Sequence, residues 1–412
     1  GLRVPAVWFR ARLQVGATAN GPLDLNGVTL PGFPALVVGS NGQVAWSFTN
    51  SNGDWGDVNP VACRLASNRY STARGEAEFQ LGRETLEIAG DEPETLEVRD
   101  SPFGVLLRSE GGDPAAATDE TCWLARWLVT EPGATNLVGL ELQQVRDVDA
   151  ALALAPEVGI PHQNFTVVDR SGRIGWTIIG RMPRGDQGPR TPRPILWREA
   201  GEFPVIREPQ IGRLWSANAR HVEGPMEYLL GNDEAEGGMR YDNSARQRQI
   251  RDGLLALQGP ATPADMLRIQ LDDRAVLMGR WQRLLLGVLD EDALRNQPQR
   301  AELRRLVSDW QGRASIDSVS YRLVRDFRER TRNAVWDMIT AALGVGTETR
   351  PFPLFEGSLW RLVTEQPPHL LSAQYTDWRS LLLRQVDELV REAVESCGTL
   401  SRCTWGAFNT SA

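Results

Sequence analysis

Through residues 1–261 the apolar positions come in short runs separated by Gly, Asn and Pro, the pattern of strands joined by tight turns. Residues 1–60 read as three or four strands, punctuated by Gly27 and Pro31-Gly32. Within them Leu36–Val58 (LVVGSNGQVAWSFTNSNGDWGDV) stands out. Leu36-Val37-Val38 predicts a strand, and Gly39-Ser40-Asn41-Gly42 predicts a hairpin turn because Asn-Gly supplies the positive φ it needs. Gln43–Phe48 then predicts the returning strand, with Val44, Trp46 and Phe48 in a mostly apolar run. From Thr49 to Asp57 the chain is polar, broken by glycines, and carries Asp54 and Asp57. A buried hairpin that ends in a polar loop is a way to mount a site on a rigid scaffold. A plain surface loop after a strand is the alternative.

Further on, Thr85–Ile88 and Thr95–Val98 alternate as half-exposed strands around a turn at Gly90–Pro93. Residues 146–155 predict a short helix ending before Pro156. Phe165–Ile179 predicts a second hairpin whose Val-Val, Gly and Trp positions echo the first. Arg181–Pro204, rich in Pro, Gly and Arg, reads as a long surface loop, and Ile211–Asn218 as a strand ending at a polar turn. From Thr262 the period becomes helical. Thr262-Pro263-Ala264-Asp265 carries a capping hydroxyl, Pro in the first turn and an acid near the positive helix end. Leu382, Val386, Leu389, Val390 and Ala393 make Trp378–Ser396 an amphipathic helix with its stripe in a core. The expected organisation is therefore a sheet core in residues 1–261 and a mainly helical region in 262–412.

Composition narrows the function classes. The net charge of −8 and the absence of any basic run argue against a nucleic-acid partner. No lysine occurs, so no lysine nucleophile or Schiff base can operate from this chain. No apolar run is long enough to span a membrane. The four cysteines form no CxxC pair, which argues against a zinc ribbon. Their even count fits disulfides Cys63–Cys122 and Cys397–Cys403 and so an oxidising compartment, periplasmic or extracellular; four buried thiols are the other reading. None of His162, His221 and His369 has metal-ligand spacing to another, and no Gly-x-Ser-x-Gly elbow accompanies them. Asp54 and Asp57 among glycines suit a hard cation such as calcium, although not at EF-hand spacing. Asn218 follows a predicted strand, with Arg246 downstream. A carboxamide held by an arginine makes a good oxyanion donor, and a turn Asn beside a solvated Arg face is the plainer reading.

Taken in order, these pieces resemble the penicillin acylase family of N-terminal nucleophile (Ntn) hydrolases. The matching segments are Gly1–Pro5, Leu30–Pro34, the Val38–Asn50 hairpin, Asp54-x-x-Asp57, Gln163-Asn164-Phe165, Gly180-x-x-Pro183-x-Gly185, Ser216-Ala217-Asn218, and Arg246 with Ile250. The resemblance implies an α+β fold, the Ntn αββα sandwich of two antiparallel sheets. It implies hydrolysis of a linear amide between an acyl chain and a small amine, either a β-lactam side chain or an acyl-homoserine lactone. The nucleophile in this family is a serine exposed by precursor cleavage, whose own α-amino group, with an ordinary pKa of ~8, serves as base. The implied oxyanion donors are the Asn50 backbone N–H and the Asn218 carboxamide, with Arg246 positioning Asn218. Asp54 and Asp57 match a structural calcium site, no organic cofactor is implied, and a small (alpha) chain from the same precursor is the expected partner. Many members carry two Asn near position 218 where this chain has Ala219 and Arg220, which leaves the alignment there ambiguous. Gly1 has no side chain. The expectation is that the serine and the small chain lie outside residues 1–412, that the final strands do too, and that residues 1–412 alone are inactive. Two rivals stand beside this reading: a family member without catalysis, and a secreted β-rich module binding calcium or, through its 14 Trp, carbohydrate. The hydrolase reading requires Asn50 and Asn218 to meet in space.

Overall fold

Alternating residues from Phe9 onward fold into fourteen strands among the described residues, which in this computed structural model are 7–16, 18, 21–33, 35–111, 119–184, 194–223, 226, 230, 241–344 and 350–410. Gly1–Pro5, Pro34 and Gly185, which carry part of the family resemblance, lie outside them. In chain order the strands are β1 (Phe9–Val15), β2 (Leu23–Thr29), β3 (Val38–Ser40), β4 (Val44–Asn50), β5 (Gly56–Arg64), β6 (Arg69–Thr72), β7 (Gly75–Glu78), β8 (Gln80–Leu86), β9 (Glu94–Ser101), β10 (Gly104–Glu110), β11 (Glu120–Trp127), β12 (Gln163–Asp169), β13 (Ile174–Ile179) and β14 (Val205–Arg207). They form two antiparallel seven-stranded sheets, ordered β1-β2-β3-β4-β12-β13-β14 and β7-β6-β5-β11-β10-β9-β8. With the helices described below, this is the expected α+β class.

The first sheet positions the site. The two sequence-predicted hairpins lie side by side in it, because β4 pairs with β12: Trp46 faces Val167, Phe48 faces Phe165 and Asn50 faces Gln163. The first hairpin differs in detail from expectation. Leu36 and Val37 are buried ahead of the strand, β3 runs through Ser40, and the turn is confined to Asn41-Gly42-Gln43, where Gly42 takes φ 79°. Asn41 enforces it: its Oδ1 accepts the N–H groups of Gln43 (2.9 Å) and Val44 (2.8 Å), and its Nδ2 donates to the Val145 carbonyl (2.7 Å).

A short helix, α1 (Val148–Leu154), capped by Asp147 accepting from Ala150 N, covers this sheet. Its Val148, Ala151 and Leu152 share a core with Val44, Trp46, Phe165 and Val167. Gly175 of β13 allows the close approach, since a Cβ there would lie 2.8 Å from Leu152 Cδ1 and 2.9 Å from Val148 Cγ1.

The second sheet has its own core of Tyr70, Phe79, Leu124 and the expected disulfide Cys63–Cys122, which ties β5 to β11. Its β8–β9 hairpin, predicted around Gly90–Pro93, is exposed along the whole of β8. Ile211–Asn218 is not the strand the sequence suggested. Gly212 (φ 63°) and Asn218 (φ 64°) adopt left-handed conformations that no strand accommodates, and the last strand is instead β14.

The helical part begins earlier than residue 262. The compact unit that holds the helices takes in α2 (Ala245–Leu255), which packs on α3 (Pro263–Gln270), where a Cβ at Gly253 would lie 3.1 Å from Ile269 Cγ1. Thr262 caps α3 as predicted, with a reciprocal bond from its N–H to Asp265. There follow α4 (Met278–Val288), the single turn α5 (Glu291–Leu294), α6 (Pro298–Ser308), α7 (Val319–Ala342), α8 (Phe355–Glu365), α9 (Trp378–Cys397) and the turn α10 (Trp405–Phe408). The stripe on α9 is core, as expected: Leu382, Val386, Leu389 and Val390 bury against Leu285, Leu303 and Phe327. Cys397–Cys403 forms the second expected disulfide. None of the described helices is long and apolar enough to cross a membrane.

Candidate active site

Val44 and Trp46 pin the first half of β4 in the core, and the strand carries its polar end, Thr49-Asn50, out to solvent. The strand runs to Asn50, so the polar loop predicted over Thr49–Asp57 shrinks to Ser51–Trp55, and Asp57 sits inside β5. The direction of the Asn50 N–H follows from the ladder. Ser51 N–H donates to the His162 carbonyl (3.4 Å), which makes that pair the hydrogen-bonded one. In an antiparallel ladder the neighbouring pair, Asn50 and Gln163, is then non-hydrogen-bonded, which leaves the Asn50 N–H without a ladder bond to β12.

Asn218 meets this edge from a stretch far along the chain. Ala217 and Ala219 are buried on either side of it, and the left-handed backbone that Asn tolerates turns its side chain towards β4. Its Nδ2 donates to the Asn50 carbonyl at 3.0 Å. Three more bonds fix the junction: Asn164 Nδ2 to the same carbonyl (3.1 Å), Asn52 Nδ2 to the Asn218 carbonyl (3.0 Å), and the Thr49 and Ser216 hydroxyls to each other (2.7 Å). Asn50 and Asn218 are thus brought together. A backbone N–H and a carboxamide on one side of a strand end can both donate to an oxygen that gains negative charge.

The other predicted residues fall as follows. Arg246 lies in the first turn of α2, in the second compact unit, and pairs there with Asp242 (2.6 Å). Asp54 is on the loop, where its N–H donates to Leu230 O (2.8 Å), and Asp57 Oδ1 accepts from Val58 N (2.7 Å). Their oxygens have the chemistry a calcium ion takes, but among the described residues no cluster of three or more His, Cys, Asp or Glu is placed to hold a metal.

Asn164, Asn52, Thr49 and Ser216 received no role from the sequence. The available signal was Asn164 itself, a carboxamide within the apolar run of β12 that is 5% exposed and therefore in need of a partner. His162, for which the sequence offers no metal-ligand spacing and no serine elbow, serves in packing. Its ring stacks on Trp55 with centroids 4.0 Å apart, and Nε2 lies 2.7 Å from the Arg181 carbonyl. A carbonyl only accepts, so Nε2 carries the proton. Burial pushes this imidazole down to about 4, and His221, against Trp176, down to about 4 for the same reason. Both are neutral supports near neutral pH.

Comparison with known proteins bears on the family and the fold. The chain is 24% identical over 303 residues to the acyl-homoserine lactone acylase QuiP of Pseudomonas aeruginosa, covering 69% of this chain and 34% of that protein. It is 26% identical over 212 residues to the penicillin G acylase of Escherichia coli, covering 50% of this chain and 24% of the relative. The chain thus spans about a third or less of the length of these curated relatives. Its fold matches that of the thermostable penicillin G acylase of Alcaligenes faecalis with a TM-score of 0.65, at 14% identity, over 98% of this chain and 76% of the other. The family model for penicillin amidase matches residues 1–412 from end to end, and the chain belongs to that family.

Proposed function

We propose that this chain supplies the oxyanion-stabilising part of an acylase that hydrolyses a linear amide between an acyl chain and a small amine. The observation that carries the reading is the Asn218 carboxamide held 3.0 Å from the Asn50 carbonyl, at the strand end whose Asn50 N–H the ladder leaves uncommitted. Family membership supports the reaction class. Relatives whose names specify acyl-homoserine lactones outnumber those specifying penicillin G, which favours acyl-homoserine lactone as substrate.

In the proposed sequence, a serine hydroxyl outside residues 1–412 attacks the amide carbonyl, and its α-amino group takes the proton. The carbonyl oxygen becomes an oxyanion and accepts from Asn50 N–H and Asn218 Nδ2. Collapse expels the amine with a proton and leaves an acyl ester, which water hydrolyses to the acid. The small chain completes the enzyme in this scheme, and the two disulfides suit a periplasmic or secreted location.

The test uses the whole processed protein with acyl-homoserine lactones and penicillin G as substrates. Asn218→Ala lowers kcat by roughly 10²–10³-fold, with a smaller change in KM, because the bond strengthens in the transition state. Residues 1–412 expressed alone release no acid. A fully active Asn218→Ala enzyme, or turnover by residues 1–412 alone, would defeat the assignment.

A further inference from the structure

A cavity of about 730 Å³ lies wholly within the helical unit, bordered by α2, α4, α8 and the segment before α4. Four guanidinium groups line it, from Arg248, Arg274, Arg280 and Arg283, against two carboxylates, Asp252 and Glu356. Arg274 is already matched, its Nε and Nη2 each donating to Asp272 at 2.7 Å, so the unmatched positive charge rests on the other three. Glu356 is already saturated: it is buried and receives Arg280, Trp281 Nε1 (2.9 Å) and Arg328 Nη2 (2.7 Å). Asp252 is held by Arg251 at 2.7 Å, with Arg248 more distant at 4.0 Å. Arg283 pairs with no carboxylate among the described residues, and Arg280 Nε is buried without a hydrogen-bond partner. Beside these donors the cavity wall is apolar, with Val276, Leu277 and Leu354; Val276 is 61% exposed.

We propose that this cavity binds an organic carboxylate, its head on Arg283 and Arg248 and its apolar chain against Val276 and Leu354. A guanidinium fork matches a carboxylate in geometry and charge. The volume falls in the range of small-molecule sites, roughly 300–1,000 Å³. The apolar wall would be wasted on a bare inorganic anion and suits an aliphatic tail. The site is built from residues of the helical unit alone and does not rest on the amide-hydrolysis reading. If that reading holds, the acid released belongs to the same chemical class.

The experiment is arginine labelling by phenylglyoxal on the whole processed protein, mapped by mass spectrometry, with hexanoate, hexanol and inorganic phosphate as probes. Hexanoate protects Arg283 saturably, while hexanol and phosphate do not. In calorimetry, Arg248→Ala/Arg283→Ala weakens hexanoate binding at this site by at least about tenfold, and Asn218→Ala leaves the Arg283 protection unchanged. Labelling of Arg283 that hexanoate does not alter would overturn the proposal, and equal protection by phosphate would overturn the carboxylate assignment. Because protection is read in the native sequence, misfolding of the double variant leaves the result decidable. Loss of acylase activity in Asn218→Ala with Arg283 protection intact would separate the two sites.

Discussion

His162 makes the acid sensitivity of the sheet unit calculable. Its ordinary pKa of 6.5 falls to about 4 in the folded protein because the ring is buried against Trp55, with its Nε2–H on the Arg181 carbonyl. A depressed folded pKa means that the unfolded chain binds the proton first. The stabilisation is therefore complete above pH 6.5 and is lost as the pH falls through the window down to about 4. The difference corresponds to about 3 kcal/mol in all, of which somewhat under half is gone by about pH 5.5 and most by about pH 4.5. Carboxylates titrate in the same range, so the informative quantity is the difference between wild type and His162→Phe, which keeps an aromatic stack on Trp55. Urea unfolding followed by tryptophan fluorescence, near pH 7.5 and near pH 4.5, should show the variant less stable near neutrality and markedly less acid-sensitive. His221 supplies a second contribution of the same sign, so the variant retains part of the slope. With only three histidines in the chain, NMR titration of the ring protons gives an independent check. A His162 resonance that titrates near 6.5, or a pH slope unchanged in His162→Phe, would refute the reasoning.

Two further outcomes follow from charges. Arg126 and Glu131 pair at 2.9 Å with both side chains excluded from solvent, and the Arg126 Nη atoms have no partner among the described residues. Glu131→Leu strands the guanidinium and should cost roughly 3–5 kcal/mol in urea unfolding, whereas Arg126→Met/Glu131→Leu recovers most of it; equal losses in both variants would rule out an uncompensated charge as the cause. For calcium we propose retention through Asp54 and Asp57. The whole protein, dialysed against trace calcium and analysed by mass spectrometry for metal, should keep one ion that Asp54→Asn/Asp57→Asn loses; a metal-free wild-type protein with full activity would remove the ion from the account.

What the sequence disclosed was what short-range physics controls. Asn41-Gly42 forced a turn, Thr262 and Asp265 announced a helix start, and the Leu382–Ala393 stripe located a buried face. Each of these needs only neighbours within a few residues. The loop expected over Thr49–Asp57 is shorter at both ends because Thr49 and Asn50 still pair with β12, and Asp57 already pairs with Arg126 of β11, a partner no local composition reveals. The supposed strand at Ile211–Asn218 failed because two left-handed residues are invisible to an apolar pattern. Asn164 and Asn218 reach the Asn50 carbonyl across 114 and 168 residues of chain, a meeting set by sheet register and the return of a distant loop. Family resemblance supplied Asn50 and Asn218, and nothing in local propensity could have joined them.

The arrangement around Asn50 explains how a strand end can serve as a rigid donor. The N–H of Asn50 belongs to the peptide that follows Thr49, and its C=O to the peptide that precedes Ser51. Thr49 is held on one side by Ser216, and the Asn50 carbonyl on the other by two carboxamides. Ser51 is fixed by both its N–H and its hydroxyl on the His162 carbonyl. Both peptides flanking Asn50 are thus anchored without using its N–H. A donor held this way needs little reorganisation when charge develops in front of it, and that is the condition under which a hydrogen bond lowers a barrier instead of merely binding the ground state. The stacked, uncharged His162 is part of the same economy: a neutral ring can be packed tightly beneath the strand end, whereas an imidazolium would draw water into it.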